Sequence, residues 1–96
     1  MSEEHQIEYD SLKGKLLDIA KQLDEQRLPI RAYHILRIAI KNLILEPGQT
    51  ILEREIAEAL EMSRTPVREA LVRLQTEGLL TVIPRRGFNI NPIKKH

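Results

Sequence analysis

The sequence predicts a mainly α-helical domain closed by a small β-hairpin, and three observations carry that expectation. Apolar residues recur at steps of three and four along most of the chain, the spacing of helical stripes. Breakers at Pro29, at Pro47-Gly48 and at Gly78 divide that pattern into segments. After Gly78 the period changes to β-branched and alternating residues on either side of a Pro-Arg-Arg-Gly turn.

In the first segment Leu12, Leu16, Ile19 and Leu23 succeed one another at steps of 4, 3 and 4, which predicts a helix over residues 8–27 with one apolar stripe. Gly14 weakens that helix by about 1 kcal/mol relative to Ala. Pro29 disfavours helical geometry at Leu28 and so places the end near Gln26 or Arg27, while residues 1–6 read as a frayed tail. A second helix is expected over residues 30–45, stopped by Pro47-Gly48. On a helical wheel Tyr33, Leu36, Ile40, Leu43 and Ile44 share one face, and Ile35, Ile38 and Leu45 fall on another. Two apolar faces need two partners. One is the domain core, and the other is a seat for the Leu12-to-Leu23 stripe, from the same chain or from a second copy.

Thr50-Ile51-Leu52-Glu53 has the spacing of a capping box, predicting a short helix to about Leu60 that buries Ile56, Ala57 and Leu60. Ser63 or Thr65 can cap the next helix, and Pro66 is acceptable only in a first turn. That helix therefore starts between Arg64 and Pro66 and runs to about Glu77, with Gly78 as its stop. Val67, Ala70, Leu71 and Leu74 form its buried stripe and leave Arg64, Thr65, Arg68, Glu69, Val72 and Thr76 outward or flanking. Residues 79–83 and 88–91 read as two strands, with Arg85 and Arg86 at the tip between them.

Ninety-six residues with 42% hydrophobic and 30% charged side chains suit one folded domain and are too apolar for general disorder. The chain has no Cys, which removes disulfides, thiolate nucleophiles and Cys-type zinc sites and points to a cytoplasmic setting. The most apolar stretch, at residues 38–45, is broken by Lys41, so neither a membrane span nor a signal-peptide apolar region is expected. The net charge is only +1, but its distribution is polar. Residues 1–30 hold 4 basic and 7 acidic side chains, residues 31–62 hold 4 and 5, and residues 63–96 hold 7 and 2. A basic third on a nearly neutral whole implies an anionic partner meeting one face, because counterion release rewards clustered charge.

Helix, short turn, second helix and hairpin is the order of a winged helix-turn-helix, here preceded by an extra N-terminal helix. Residues 1–29 form the extension in this reading, 30–93 the winged domain and 94–96 a tail. A B-form major groove about 12 Å wide admits one helix, with the helix N-terminus nearest the bases. That turn carries Ser63, Arg64, Thr65 and Arg68, and the helix dipole adds partial positive charge there. Arg64 is the candidate for bidentate contact with guanine O6 and N7, worth about 1 to 3 kcal/mol of discrimination. Arg68 reaches a base or a phosphate in this reading, and Ser63 and Thr65 reach phosphate oxygens. Each arginine alone would usually be a solvated helix charge. Together with the tip arginines on the one strongly basic third, binding is the favoured account. Arg85 or Arg86 either decorates a solvated turn or follows the phosphate backbone into a minor groove.

The stretch Leu52-Glu53-Arg54-Glu55-Ile56-Ala57-Glu58-Ala59-Leu60, followed by Ser63-Arg64-Thr65-Pro66-Val67-Arg68-Glu69-Ala70-Leu71, Leu74, Glu77-Gly78-Leu79 and Pro84-Arg85-Arg86-Gly87, resembles the DNA-binding domain of GntR-family bacterial transcription regulators. It looks most like the branch with an all-helical FCD effector domain, over about residues 30–93. The resemblance implies a dimer on a palindromic operator of double-stranded DNA, with contacts from Arg54, Ser63, Arg64, Thr65, Arg68 and the wing around Arg86 and Gly87. Three departures stand out. Glu61 occupies a turn position where the family commonly has Gly, which requires a left-handed conformation costing about 1 kcal/mol or more. Leu52 stands where a small capping residue is frequent, which shifts the expected cap to Thr50. The chain stops at His96, where the resemblance would lead into an effector and dimerisation domain, so no effector site is expected within it. It reads either as an excised DNA-binding domain or as a natural short protein. In the second case Leu12, Leu16, Ile19 and Leu23 are candidates for dimerisation by pairing or swapping against Ile35, Ile38 and Leu45, with an intrachain helix as the equal alternative.

An enzyme is not expected. Ser2, Ser11 and Ser63 have no His/Asp partners at motif spacing, the three His show no metal-ligand pattern, and no Gly-rich phosphate loop or cofactor signature is present. Glu53, Glu55, Glu58 and Glu61 read as a solvated acidic face. The main rival is a winged-helix module that docks protein without sequence-specific DNA binding.

Overall fold

Each predicted helix forms, and a third strand joins the hairpin. The computed structural model describes the backbone of residues 3–21 and 27–92 and the side chains of residues 10–21 and 27–92. The order is α1 (Glu3–Lys21), α2 (Leu28–Lys41), β1 (Thr50–Ile51), α3 (Glu53–Leu60), α4 (Arg64–Thr76), β2 (Leu80–Ile83) and β3 (Gly87–Ile90). The strands form an antiparallel sheet in the order β1-β3-β2, with Thr50 opposite Asn89 and Val82 opposite Phe88.

The expected bounds shift where apolar period is a poor guide. α1 is already helical at Glu3, so residues 3–6 are not a frayed tail. A stripe marks only the amphipathic part of a helix, and residues before it leave no periodic trace. Leu23, Gln26, Met1, Ser2 and the tail at 94–96 lie outside the described residues. Arg27 does not end the first helix. It precedes α2, and Pro29 sits in the first turn of α2, where a missing N–H costs nothing. α2 stops at Lys41 rather than Leu45 because Leu43 adopts φ 60, turning the chain so that Leu45 is buried and Leu43 itself is exposed.

α2, α3 and α4 end alike. A left-handed residue follows each (Leu43 φ 60, Glu61 φ 58, Gly78 φ 83), and the next amide donates back five residues, Ile44 to Ala39 at 2.8 Å, Met62 to Ala57 at 3.0 Å and Leu79 to Leu74 at 3.0 Å. These are Schellman closures, and only the last has the glycine that makes one free of strain.

The expected capping box does not form. Thr50 is in β1, and α3 starts after an extended Leu52 with no side-chain cap, so the cap shifts to neither residue. Ser63 precedes α4 in extended geometry, and its hydroxyl likewise makes no capping bond.

One hydrophobic core runs from Leu16 and Ile19 of α1 through Ile35 and Leu36, Ile56, the Val67-Ala70-Leu71-Leu74 stripe and Ile90 of the sheet. α1 packs on both α2 and α3, and α4 packs on α2, so each apolar face of α2 has a partner within the chain. Leu16 and Ile19 are therefore buried in their own chain, with Leu12 half-buried beside them. Polar bonds hold the end of α4. The Tyr33 hydroxyl donates to the Glu77 carboxylate at 2.6 and 2.8 Å, and the Asn91 amide donates to the Gly78 carbonyl at 2.9 Å.

Candidate nucleic-acid interface

The sequence Ser63-Arg64-Thr65-Pro66-Val67 builds one end of the site. Pro66 and Val67 are buried and anchor the first turn of α4, while Ser63, Arg64, Thr65 and, one turn on, Arg68 are exposed. The amide N–H groups of Ser63, Arg64 and Thr65 lack helical partners at this end, Pro66 having none to offer, so it carries partial positive charge as well as two guanidinium groups.

The wing supplies the opposite wall. Pro84 and Arg85 occupy the central positions of a turn closed by the Arg86 amide donating to Ile83 at 2.9 Å, and Arg85 has φ 65, the arrangement of a type II turn. Arg85 and Arg86 are both exposed. Gly87 starts β3 where it crosses β1: at φ 119, a Cβ there would lie 2.3 Å from the Ile51 carbonyl oxygen. Gly87 thus has a structural reason to be glycine, since it lets the wing lie against β1.

Between these walls is an open cleft of about 600 Å³. Arg54 from α3, Arg64 and Arg68 from α4, and Arg85 and Arg86 from the wing all line it, together with Gly87. Five arginines thus meet on one surface from three parts of the chain, and one carboxylate, Glu53, lies among them. Ser63 and Thr65 stand at the entrance to α4 but do not line the cleft. Val72, Gln75 and Val82 add a partly apolar wall, with Val72 and Val82 among the exposed large hydrophobic residues.

Glu53 is the residue sequence reasoning misplaced. It is not a solvated carboxylate: its side chain keeps only 11% exposure, and it accepts from Arg64 Nε at 3.1 Å and Nη2 at 2.8 Å and from Arg68 Nε at 2.7 Å and Nη2 at 3.1 Å. The Arg68 hydrogen bond, with Arg64 adding to it against the cost of burial, holds the Glu53 carboxyl below its ordinary pKa. Arg68 is in turn kept more firmly protonated by the same bond. A signal was present in the spacing, since opposite charges occupy the first residues of two consecutive helices joined by a tight turn.

Among the described residues no cluster of His, Asp or Glu could hold a metal ion, and no helix is long and apolar enough to cross a membrane. The sequence pattern of the bacterial regulatory proteins of the gntR family matches residues 19–90, three quarters of the chain and every element of the cleft. The chain belongs to the GntR family. Its similarity to an uncharacterized HTH-type transcriptional regulator of Agrobacterium vitis is 49% identity over 59 residues, which is 62% of this chain and 34% of that protein. The HTH-type transcriptional repressor RspR of Escherichia coli K12 is 39% identical over 61 residues, covering 64% of this chain and 27% of the repressor. The chain thus matches 34% and 27% of the length of these two curated relatives. Among solved structures, a GntR family transcriptional regulator from Pseudomonas syringae pv. tomato superposes with a TM-score of 0.68 at 27% identity over 91% of this chain and 38% of its own. That coverage is too large to omit the first 29 residues, so at least part of α1 has a counterpart there. E. coli McbR/YncC superposes with a TM-score of 0.67 at 34% identity over 74% of this chain and 34% of its own. The GntR winged helix is therefore the fold of this chain.

Proposed function

We propose that this GntR-family chain binds double-stranded DNA sequence-specifically as the DNA-binding part of a transcription regulator, with α4 in a major groove and the β2–β3 wing at the backbone or an adjoining minor groove. The observation that carries this reading is the convergence of five arginines on one cleft at the exposed N-terminal end of α4. A helix of 13 residues is about 20 Å long, and one such helix fills a B-form major groove about 12 Å wide. Arg64 reads guanine, and Arg68 reads a base or a phosphate. Arg54, Ser63 and Thr65 hold phosphates, the wing arginines follow the backbone, and Gly87 sets the wing's approach. Relatives named as regulators and a repressor support this role. A homodimer on a palindromic operator in a bacterial cytoplasm belongs to the same reading. Inverted repeats among duplexes enriched from a random pool are its check.

Fluorescence titration with duplexes at two salt concentrations tests the function. A specific DNA binder loses affinity steeply as salt rises and keeps a preference among sequences, whereas a protein-docking module shows neither. Arg64→Ala relaxes the preference at one base pair, at a cost of about 1 to 3 kcal/mol. Arg86→Ala weakens all sequences nearly alike and flattens the salt slope by about one unit. Equal, sequence-blind losses from both would refute this division of labour.

A further inference from the structure

We propose that Glu53 is a positioning residue for base readout: its carboxylate grips the Nε–Nη2 edge of both Arg64 and Arg68 and thereby presents their free Nη1–Nη2 edges to the DNA. The inference rests on the DNA-binding reading above. Its basis is which donors are used. Both guanidinium groups turn the same side edge to Glu53, through Nε at 3.1 and 2.7 Å and Nη2 at 2.8 and 3.1 Å. A guanidinium has five N–H donors, so each arginine keeps three that Glu53 does not use, including the end-on pair whose fork matches guanine O6 and N7. Glu53 can therefore remain bound while both arginines read bases. No ion pair need break.

Exposure points the same way. Glu53 keeps 11% of its side-chain surface, whereas Arg64 and Arg68 keep 65% and 67%. The carboxylate lies beneath the arginines, behind the surface a groove would meet. Two positive charges over one negative charge also leave a net attraction for phosphates. A long, flexible arginine loses rotamer freedom when it binds, and a side chain already held in place loses less, so the carboxylate raises specific affinity by preorganisation. It also lowers the attraction for DNA of any sequence, because it offsets cationic charge at the cleft. Both effects sharpen discrimination.

The test uses the 96-residue chain, the short duplex it enriches from a random pool, a scrambled duplex, and the enriched duplex with single guanines replaced by 7-deazaguanine, which lacks the N7 acceptor. Wild type and Glu53→Gln are titrated against each, and both are melted thermally. The expected result is that Glu53→Gln binds scrambled DNA at least as tightly as wild type, with a steeper salt slope. Its preference for the enriched duplex falls about tenfold, the scale of one lost bidentate contact. The 7-deazaguanine penalty also shrinks at the positions read by Arg64 and Arg68. A merely structural ion pair would lower the melting temperature and leave the preference and that penalty unchanged, which would overturn the proposal. Tighter binding of enriched and scrambled duplexes alike would also overturn it, because Glu53 would then compete with DNA for the arginines. A measurement without any variant guards against a folding defect. The Arg64 and Arg68 Nε–H resonances of the wild-type chain retain their carboxylate-bonded shifts when the enriched duplex is added, and loss of those shifts on binding would overturn the proposal. Failure of the wild-type chain to enrich any duplex would instead sink the DNA-binding reading itself.

Discussion

Glu53 controls the charge balance of the cleft because it lies under two guanidinium groups and is itself nearly enclosed. Its folded pKa is lowered chiefly by the hydrogen bond from Arg68, so the ionised form favours the folded state. The stability this confers is fully present above the ordinary value of 4.5 and is lost as pH falls through the lowered folded value. Urea denaturation at a series of pH values is expected to show wild type losing more stability than Glu53→Gln as pH falls below 4.5, with the two curves converging in acid. Parallel curves would show that the bond contributes nothing to folding. Arg64, Arg68, Arg85 and Arg86 stood out in the sequence as basic residues clustered at a helix start and a turn tip, whereas Arg54 entered only through the family resemblance. Glu53 was not picked out despite its place opposite Arg64 at the start of the preceding helix, because a glutamate among Glu55, Glu58 and Glu61 has the pattern of a solvated face. Only the approach of α4 encloses it.

Helix ends show how an element can contradict its own residue preferences. Leu43 and Glu61 hold left-handed conformations at φ 60 and 58, where Gly78 performs the same closure without a Cβ. Glu61→Gly and Leu43→Gly are each expected to stabilise the chain by about 1 kcal/mol, the left-handed penalty of a side chain less the added freedom of glycine in the unfolded state. Gly78→Ala is expected to destabilise it by a similar amount, and chemical denaturation checks all three. A loss on Glu61→Gly would mean that its side chain makes contacts that outweigh the strain. The left-handed turn at Glu61 could be foreseen from the family pattern. The early stop at Leu43 could not, since Leu43-Ile44-Leu45 continues an apolar run that a wheel reads as more helix. β1 was hidden for a different reason. Thr50 and Ile51 pair with Asn89 and Phe88 nearly forty positions later, and two residues carry too little alternation to declare a strand.

At the scale of the molecule, α1 and the winged domain share one core, with Leu16 as enclosed as Leu71 and Ile90. Leu16→Ala is expected to destabilise the whole chain by about 2–5 kcal/mol in a single cooperative transition, measured by urea denaturation. A separate early transition would show that α1 unfolds independently. The chain's own helices cover Leu16 and Ile19, which fits the intrachain alternative for the α1 stripe and leaves those side chains little exposed surface for a second copy in this arrangement.

Local chemistry alone determined the number and kind of helices, their order, the hairpin and the basic end of the chain. Periodicity, breakers and charge are all properties of neighbours in sequence, and they survive without knowledge of the fold. Tertiary structure decided where helices stop, which two-residue segment becomes an edge strand, and that Arg54, Arg64, Arg68, Arg85 and Arg86 line the same cleft. It also decided that a glutamate lies beneath two of those arginines. These depend on groups far apart in the chain being brought within a few ångströms, and the energy of such contacts exists only once the core has closed.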